Sequence, residues 1–318
     1  MLVNLVRLRY QDVPVFLNVG SMLSQYVYSG NASVNGMAGR ATGESNDSIG
    51  ARARLIYIDR PTVTYSPLIG EDFARQLLTP IPTELLFSLV QSGWPAEQLL
   101  NMSLQRINHL VNEGDYLGQV SVVGDKANSF RRAVALMVEL STYSAIEMQR
   151  NEDGESSDIY LVFEKTDDSR TQQRIAELKH LLNLPGDIDR FEVTDRITQR
   201  RSDQITIRLR SLLTLMGYLS RGVQVPPSHL ADGRVRAVKI AAEGTPADPG
   251  TSESYLRIIV SEQPPEDAFV SARYQDHWFY IEHSDHSSKQ SFALLMYLFQ
   301  LQSPKAPSEA PVLTVPTG

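Results

Sequence analysis

Apolar residues recur along this chain at two spacings, about 3.6 residues where a helix is expected and about 2 residues where a strand is expected. The stretch from residue 53 to residue 111 shows both spacings with the clearest boundaries, and we expect it to form the core of a first domain. In chain order it predicts a strand at 55–58, a helix at 71–78, a second helix that Thr83 caps and Gly93-Trp94-Pro95 ends, a third helix, and a strand through Met102, Leu104 and Ile107.

The amino-terminal residues predict strands followed by a polar segment. Apolar side chains between Leu2 and Leu8 are interleaved with polar ones, which predicts a strand at 2–10, and further strands are predicted at 13–19 and 21–28. Residues 29–50 are rich in Gly, Ser, Asn, Ala and Thr, so they have little to bury. We expect a flexible loop or the tip of a long hairpin there, and a loop that grips a ligand is the sharper alternative.

The rest of the chain predicts helices and strands in mixed order. The predicted helices are 128–140, 171–182, 209–221 and 287–301, and the predicted strands are 119–123, 145–149, 158–164, 190–194, 204–208, 253–260, 269–274, 278–282 and 312–315. Helices mixed with mostly antiparallel strands indicate an α+β fold. A boundary near residue 145 gives an N-terminal α+β domain at 1–145, which carries the flexible loop, and a C-terminal α+β domain at 146–318.

Composition narrows the classes of function. Hydrophobic residues make up 42% of the chain and charged residues 21%, which is typical of a globular protein. A formal net charge of −7 argues against a general nucleic-acid-binding protein, since such proteins are basic overall. The chain has no cysteine, which excludes disulfides, cysteine nucleophiles and iron–sulfur clusters but indicates no compartment. We predict no cofactor.

A dense polar cluster at residues 277–286 is the candidate for metal chemistry. His277, His283, Asp285 and His286 are of the residue types that bind metals, and together they predict the site of a metal-dependent hydrolase. Their spacing does not match a His-Glu-x-x-His motif. The alternative is a solvated turn before the last helix, in which Ser284 or Asp285 caps that helix.

Two further features are candidates for partner binding. Arg196, Arg200 and Arg201, followed by Arg208 and Arg210, form a basic patch that predicts contact with an anionic lipid, a polysaccharide or an acidic partner. The alternative is a solvated face, neutralised by carboxylates at positions 192, 195 and 203. Trp94 is either a core residue or an anchor for a partner, because tryptophan is enriched among the residues that dominate interfaces.

Several short motifs carry a family resemblance that spans about residues 2–316. They are RPTVTYSPL at 60–68, LTPIP at 78–82, QSGWP at 91–95, WFYI at 278–281 with Ser288-Lys289, and APVLTVP at 310–316. As a set they resemble a family of uncharacterised proteobacterial lipoproteins. The family has no assigned activity, so the resemblance implies no catalytic residues.

What the resemblance does imply is a location and a partner. Such proteins carry a secretory leader that ends in a lipid-bearing cysteine. We therefore expect the mature chain in the periplasm or at the outer membrane, held to the membrane only by that anchor and bound to another envelope protein or complex. This sequence has neither the leader nor the cysteine, and we expect that it is trimmed just beyond the anchor. If Met1 is instead the native start, the chain is cytoplasmic.

Three functions are therefore predicted. The leading one is a non-enzymatic envelope protein that acts as a binding or assembly subunit. The second is a metal-dependent hydrolase that uses the cluster at 277–286. The third is a cytosolic scaffold subunit, with the helices around Trp94 and Phe292 as docking faces.

Overall fold

The predicted α+β class is confirmed by a computed structural model, which describes residues 1–37, 48–68, 70–112, 125–150, 158–195, 201–236 and 255–302. Its strands form a mixed sheet of six strands, an antiparallel sheet of three and a separate hairpin. Among the described helices, none is both long enough and apolar enough to cross a bilayer. The chain divides into two compact units, residues 15–69 and the remainder.

The smaller unit is a long antiparallel hairpin. Strand β1 (Leu17–Met37) pairs with strand β2 (Ser48–Pro67), and the register runs from Leu17 opposite Pro67 to Met37 opposite Ser48. Of the expectations for residues 29–50, the hairpin is the one found. Backbone pairing continues through Gly- and Ser-rich positions because the ladder hydrogen bonds need no side chain. Residues 38–47 lie outside the described part of the chain.

The larger unit holds the helices and the other two sheets. Its helices are α1 (Leu2–Arg9), α2 (Glu71–Leu78), α3 (Thr83–Gln91), α4 (Ala96–Ser103), α5 (Asp125–Thr142), α6 (Ser169–Leu182), α7 (Leu212–Leu219), α8 (Pro227–Ala231) and α9 (His286–Gln302). Its strands are β3 (Leu104–Ile107), β4 (Leu110–Val111), β5 (Ile146–Arg150), β6 (Ile159–Phe163), β7 (Arg190–Thr194), β8 (Gln204–Leu209), β9 (Ile259–Ser261), β10 (Ala268–Tyr274) and β11 (His277–Glu282). The helices predicted at 71–78, 128–140, 171–182 and 287–301 are confirmed, with ends that move by at most three residues.

The six-stranded sheet has one apolar face and one polar face. Its order is β4-β3-β8-β7-β6-β5, and only β7 and β8 run parallel. In β6, Leu161 and its neighbours two residues away are buried, whereas Tyr160 and Val162 between them are half-buried. On the polar face the guanidinium of Arg190 stacks on the ring of Tyr160 at 4.1 Å. The apolar face therefore forms one wall of the core.

The three-stranded sheet has the order β10-β11-β9. The strands predicted at 269–274 and 278–282 are found as the β10–β11 hairpin, whose turn lies at Gln275 and Asp276. Both residues have positive φ angles, 43° and 64°, as the two-residue turns that join twisted antiparallel strands require.

The strand predicted at residues 2–10 is wrong, because these residues form α1. The buried positions Leu2, Leu5, Val6 and Arg9 follow the i, i+3, i+4, i+7 spacing of one helix face. Over eight residues the sequence satisfies both periods, so it does not decide between them. Packing of α1 against α7 and β10 favours the helix.

The domain boundary predicted near residue 145 falls within a continuous sheet. Strands β3 and β4 precede it and β5 to β8 follow it, yet β3 pairs with β8 through Leu104 opposite Leu209. Backbone hydrogen bonds thus join the two predicted domains. The structure divides the chain at the β1–β2 hairpin instead.

Arg210 does not belong to the exposed basic patch in which the sequence analysis placed it. It is 1% exposed and lies where α4 runs into β3 without a connecting loop. The last carbonyls of a helix have no partner within the helix, and here they are buried. Arg210 Nη1 donates to the carbonyls of Asn101, Met102 and Leu104 at 3.2, 2.8 and 2.8 Å, and its backbone N–H donates to Ser103 at 2.8 Å.

Replacing Arg210 with methionine should lower the free energy of unfolding by on the order of 4 kcal/mol, since several buried carbonyls lose a charged donor at once. Urea unfolding followed by circular dichroism measures this. Arg208→Met is the matched control: Arg208 is exposed two residues earlier, so its loss should cost less than about 0.5 kcal/mol. Equal losses for the two variants would contradict the assignment.

Candidate functional site

Ionisable and aromatic side chains meet at the C-terminal end of α1. The hydroxyl of Tyr10 lies 2.7 Å from Nδ1 of the buried His229, which α8 carries. The β10–β11 hairpin adds Tyr274, whose ring meets that of Tyr10 edge-on at 5.5 Å, and His277, whose ring centre is 4.9 Å from that of His229. We call these four residues, with Arg234, the Tyr10 cluster.

The hydrogen bonds of the Tyr10 cluster favour one tautomer of His229. Arg234 Nη1 lies 3.4 Å from His229 Nε2, and a guanidinium nitrogen can only donate. Nε2 therefore presents its lone pair, and Nδ1 carries the proton and donates to the oxygen of Tyr10. The Nδ1 of His277 donates to the carbonyl of Gln275 at 3.0 Å, which holds that ring in place.

Burial sets the charge state of the Tyr10 cluster. It holds the pKa of His229 below the usual 6.5, and the electrostatic effects of the neighbouring Arg234 and His277 lower it further. Burial also raises the pKa of Tyr10 to about 12. The pKa of Tyr274 is raised as well, first by burial and then by its hydrogen bond to the Asp12 carboxylate. At neutral pH the cluster therefore offers a neutral imidazole and two protonated phenols beside an arginine.

Of the four predicted metal ligands, only His277 lies in this cluster. Asp285 caps α9, because its Oδ1 and Oδ2 accept from the backbone N–H and the hydroxyl of Ser288 at 3.0 and 2.8 Å. His283 and His286 are exposed. Within the described ranges, no three His, Cys, Asp or Glu side chains are grouped so as to hold a metal ion. The geometry at Asp285 is that of the helix-capping alternative.

Of the three candidate partner-binding arginines, the structure describes one, Arg201. Arg201 pairs with Asp203 through Nε and Nη2 at 3.0 and 2.5 Å, and its Nη1 is 3.9 Å from Glu192. Arg201 is thus paired with carboxylates at the surface. Arg196 and Arg200 lie outside the described residues.

The two aromatic candidates have different environments. Trp94 is half-buried between α3 and α4, and its ring meets Tyr297 edge-on at 5.6 Å. Tyr297 is 53% exposed, so this pair lies at the surface. Phe292 is buried, and its ring meets that of Phe269 edge-on at 6.3 Å.

An apolar cleft of about 90 Å³ is the second candidate site. It lies between the helices α3, α4 and α5 and the apolar face of the six-stranded sheet. Its lining is Thr83, Leu86, Val90, Ala96, Leu100, Leu104, Ile107, Met137, Val138, Ser141, Ile146, Glu147, Met148, Leu161, Val193, Ile205 and Ile207. Ser141 is exposed, which places it at the mouth of the cleft. Glu147 lies opposite Val162 in the pairing of β5 with β6, so its side chain points to the polar face of the sheet.

Sequence reasoning found neither site. Tyr10 and His229 are 219 residues apart, and no local pattern joins them. One local signal was available for His229. Pro227 stands at the first position of α8, where proline is common, so it predicts a short helix that carries His229. The lining of the cleft comes from eight elements, and the apolar pattern of each of them is the one expected for an ordinary core element.

Comparison with known proteins found no match for this chain among protein-family models, curated proteins or solved structures. The two sites that suggest a function are therefore the Tyr10 cluster and the apolar cleft.

The pKa shift of His229 predicts how stability depends on pH. Because its folded pKa lies below 6.5, unfolding takes up a proton below that pH, and stability should fall as the pH drops from about 6.5 towards 5, by at most about 1.4 kcal/mol per pH unit. Chemical unfolding at several pH values should show a shallower slope for His229→Gln than for the wild type. His180→Gln, at an exposed position, should keep the wild-type slope. A wild-type slope in His229→Gln would refute this assignment.

Proposed function

We propose that this chain is a non-enzymatic binding protein of the bacterial envelope, and that its apolar cleft takes the aliphatic chain of an envelope component. The observation that carries the binding role is the lining of the cleft. The envelope location rests on the lipoprotein resemblance. An upstream reading frame that encodes a leader ending in cysteine would support that location, and a native start at Met1 would oppose it.

The cleft lining favours an aliphatic ligand. All of its apolar members are aliphatic or methionine, and none is aromatic. Flat aromatic ligands are commonly held by aromatic side chains, which prefer offset or edge-on ring pairs. Flexible and branched walls such as Met137, Met148 and Val138 adapt instead to a chain.

The size of the cleft limits how much of a ligand it holds. Its 90 Å³ is less than the roughly 150 Å³ of an apolar cavity that binds benzene. Each buried methylene contributes about 0.8 kcal/mol, so a segment of about five gives roughly 4 kcal/mol, which corresponds to millimolar affinity. The cleft thus takes the end of one chain, and contacts at its mouth set the rest of the affinity.

The lining of the cleft also bears on the polar end of the ligand. No lysine or arginine is among the lining residues. Glu147 lies opposite Val162 in the pairing of β5 with β6, so its side chain belongs to the polar face of the sheet and not to the cleft. A charged head group would lose hydration at the mouth without gaining an ionic partner, so the ligand is an aliphatic chain with an uncharged head.

Titration with three compounds of equal chain length tests this proposal. Decyl maltoside should bind most tightly, whereas decyltrimethylammonium and decanoate should both bind more weakly, each kept below its micelle-forming concentration. The methyl NMR signals of Met137 and Met148 report binding, because both residues line the cleft. Glu147→Gln should leave this order unchanged, because the Glu147 side chain lies on the opposite face of the sheet.

Filling the cleft gives the variant control. Val138→Phe places a ring inside it and should weaken binding of all three compounds, whereas Val162→Phe, on the polar face of the same sheet, should not. Wild-type affinity in Val138→Phe, or no methyl shift with any compound, would reject the cleft as the binding site. Turnover of an envelope substrate by the purified chain would reject the non-enzymatic role.

A further inference from the structure

We propose that Arg9 forms a binding site for a small oxyanion, a carboxylate or a phosphate group, at the C-terminal end of α1. This site is separate from the apolar cleft and does not depend on the function proposed for it. Arg9 precedes Tyr10 in the chain, and its side chain takes no part in the hydrogen bonds of the Tyr10 cluster.

Arg9 is a buried cation whose donors are only partly used. Its side chain is 8% exposed, and its Nη1 donates to the carbonyl of Arg236 at 3.0 Å. Its Nε and Nη2 are buried, and neither has a hydrogen-bond partner within the residues that the structure describes. Buried donors of this kind are nearly always paired, because a buried donor without an acceptor has lost the hydrogen bonds that it made to water in the unfolded chain.

The two unpaired nitrogens form one edge of the guanidinium, and this edge binds two oxygens at once. Two other arginines of the chain use it in that way. Arg132 donates through Nε and Nη2 to the two carboxylate oxygens of Glu177 at 2.7 and 2.8 Å. Arg201 does the same with Asp203. In Arg9 the same edge is buried and has no acceptor among the described residues, and a carboxylate or phosphate is the group that would use both of its donors.

The surroundings of Arg9 favour a negative ligand. Burial lowers the pKa of Arg9, and the nearby charge of Arg221 lowers it further, so two cations lie close together. The carboxylates of this region are engaged with other groups. Asp12 accepts from the hydroxyl of Tyr274, and Asp232 pairs with Arg234 at 3.3 Å. An anion at the unpaired edge would place a compensating charge beside the buried guanidinium of Arg9.

A simpler role accounts for only part of this arrangement. Arg9 lies in the last turn of α1, where a positive charge is favourable next to the helix carbonyls. Arg7 in the same turn meets that need from a more exposed position. The helix dipole therefore explains a cation at this end of α1, but not the burial of the bidentate edge of Arg9.

NMR of the arginine Nε–H groups tests the site directly. Wild-type protein is titrated with sodium phosphate and, separately, with sodium acetate, while sodium chloride keeps the ionic strength constant. The Nε–H signal of Arg9 should shift and saturate, and the Nε–H signal of Arg132, whose edge holds Glu177, should not. A response to phosphate alone assigns a phosphate group, a response to acetate alone a carboxylate, and a response to both a general oxyanion site.

Substitutions add a second measurement through the rise in melting temperature with each anion. Arg9→Lys keeps the charge but loses the bidentate edge, so its affinity should fall by roughly tenfold or more, whereas Arg132→Lys should keep the wild-type response. Should Arg9→Lys fail to fold, Arg221→Gln replaces it, with a smaller loss expected. No saturable shift of the Arg9 signal in the wild type, or an undiminished response in the folded Arg9→Lys protein, would overturn the proposal.

Discussion

The direct passage from α4 into β3 is the constraint on which the larger unit depends. A helix that ends inside the core leaves its last carbonyls without water, so other parts of the chain must supply donors. Arg210 does this from the end of β8, and Asn112 adds bonds to Asn101 and Leu104 at 2.7 Å each. The carbonyl of Arg210 in turn accepts from Ile81 at 3.1 Å, and its guanidinium stacks on Tyr218 at 4.0 Å. One residue, through its side chain and its backbone, thereby joins α4, β3, β8, α7 and the link between α2 and α3.

This junction also fixes a helix that forms one wall of the cleft. The C-terminal end of α4 is held at β3, the strand next to the edge of the sheet, and α4 lines the cleft together with α3 and α5. The other walls are the apolar positions of the strands, opposite half-buried helix residues such as Val138. On the other face of the sheet the guanidinium of Arg190 stacks on the ring of Tyr160. Helices and sheet thus both contribute aliphatic side chains to the cleft, which is why we propose an aliphatic ligand for it.

Local structure was largely predictable from the sequence, whereas contacts between distant residues were not. The helix at 71–78 and the hairpin turn at Gln275 follow from nearby glycines, polar residues and apolar spacing, and both are found as predicted. The strand predicted at residues 2–10 failed because an eight-residue segment fits two periods, and only its packing on α7 and β10 decides. The domain boundary failed because the pairing of β3 with β8 has no local signal. The Tyr10 cluster was missed for the same reason.

The arginines show where sequence reasoning stops. Arg201 and Arg210 lie nine positions apart and look alike in the sequence, yet Arg201 is neutralised by Asp203 at the surface and Arg210 is buried against carbonyls. Arg9 is a third case, buried like Arg210 but with its bidentate edge unpaired within the described structure. Burial distinguishes Arg201 from Arg210 and Arg9. Hydrogen-bond partners then distinguish Arg210 from Arg9. Because a buried cation is costly unless its donors are used, the partner of each arginine defines its role: a carboxylate for the surface, helix carbonyls for the fold, and an external anion for a binding site.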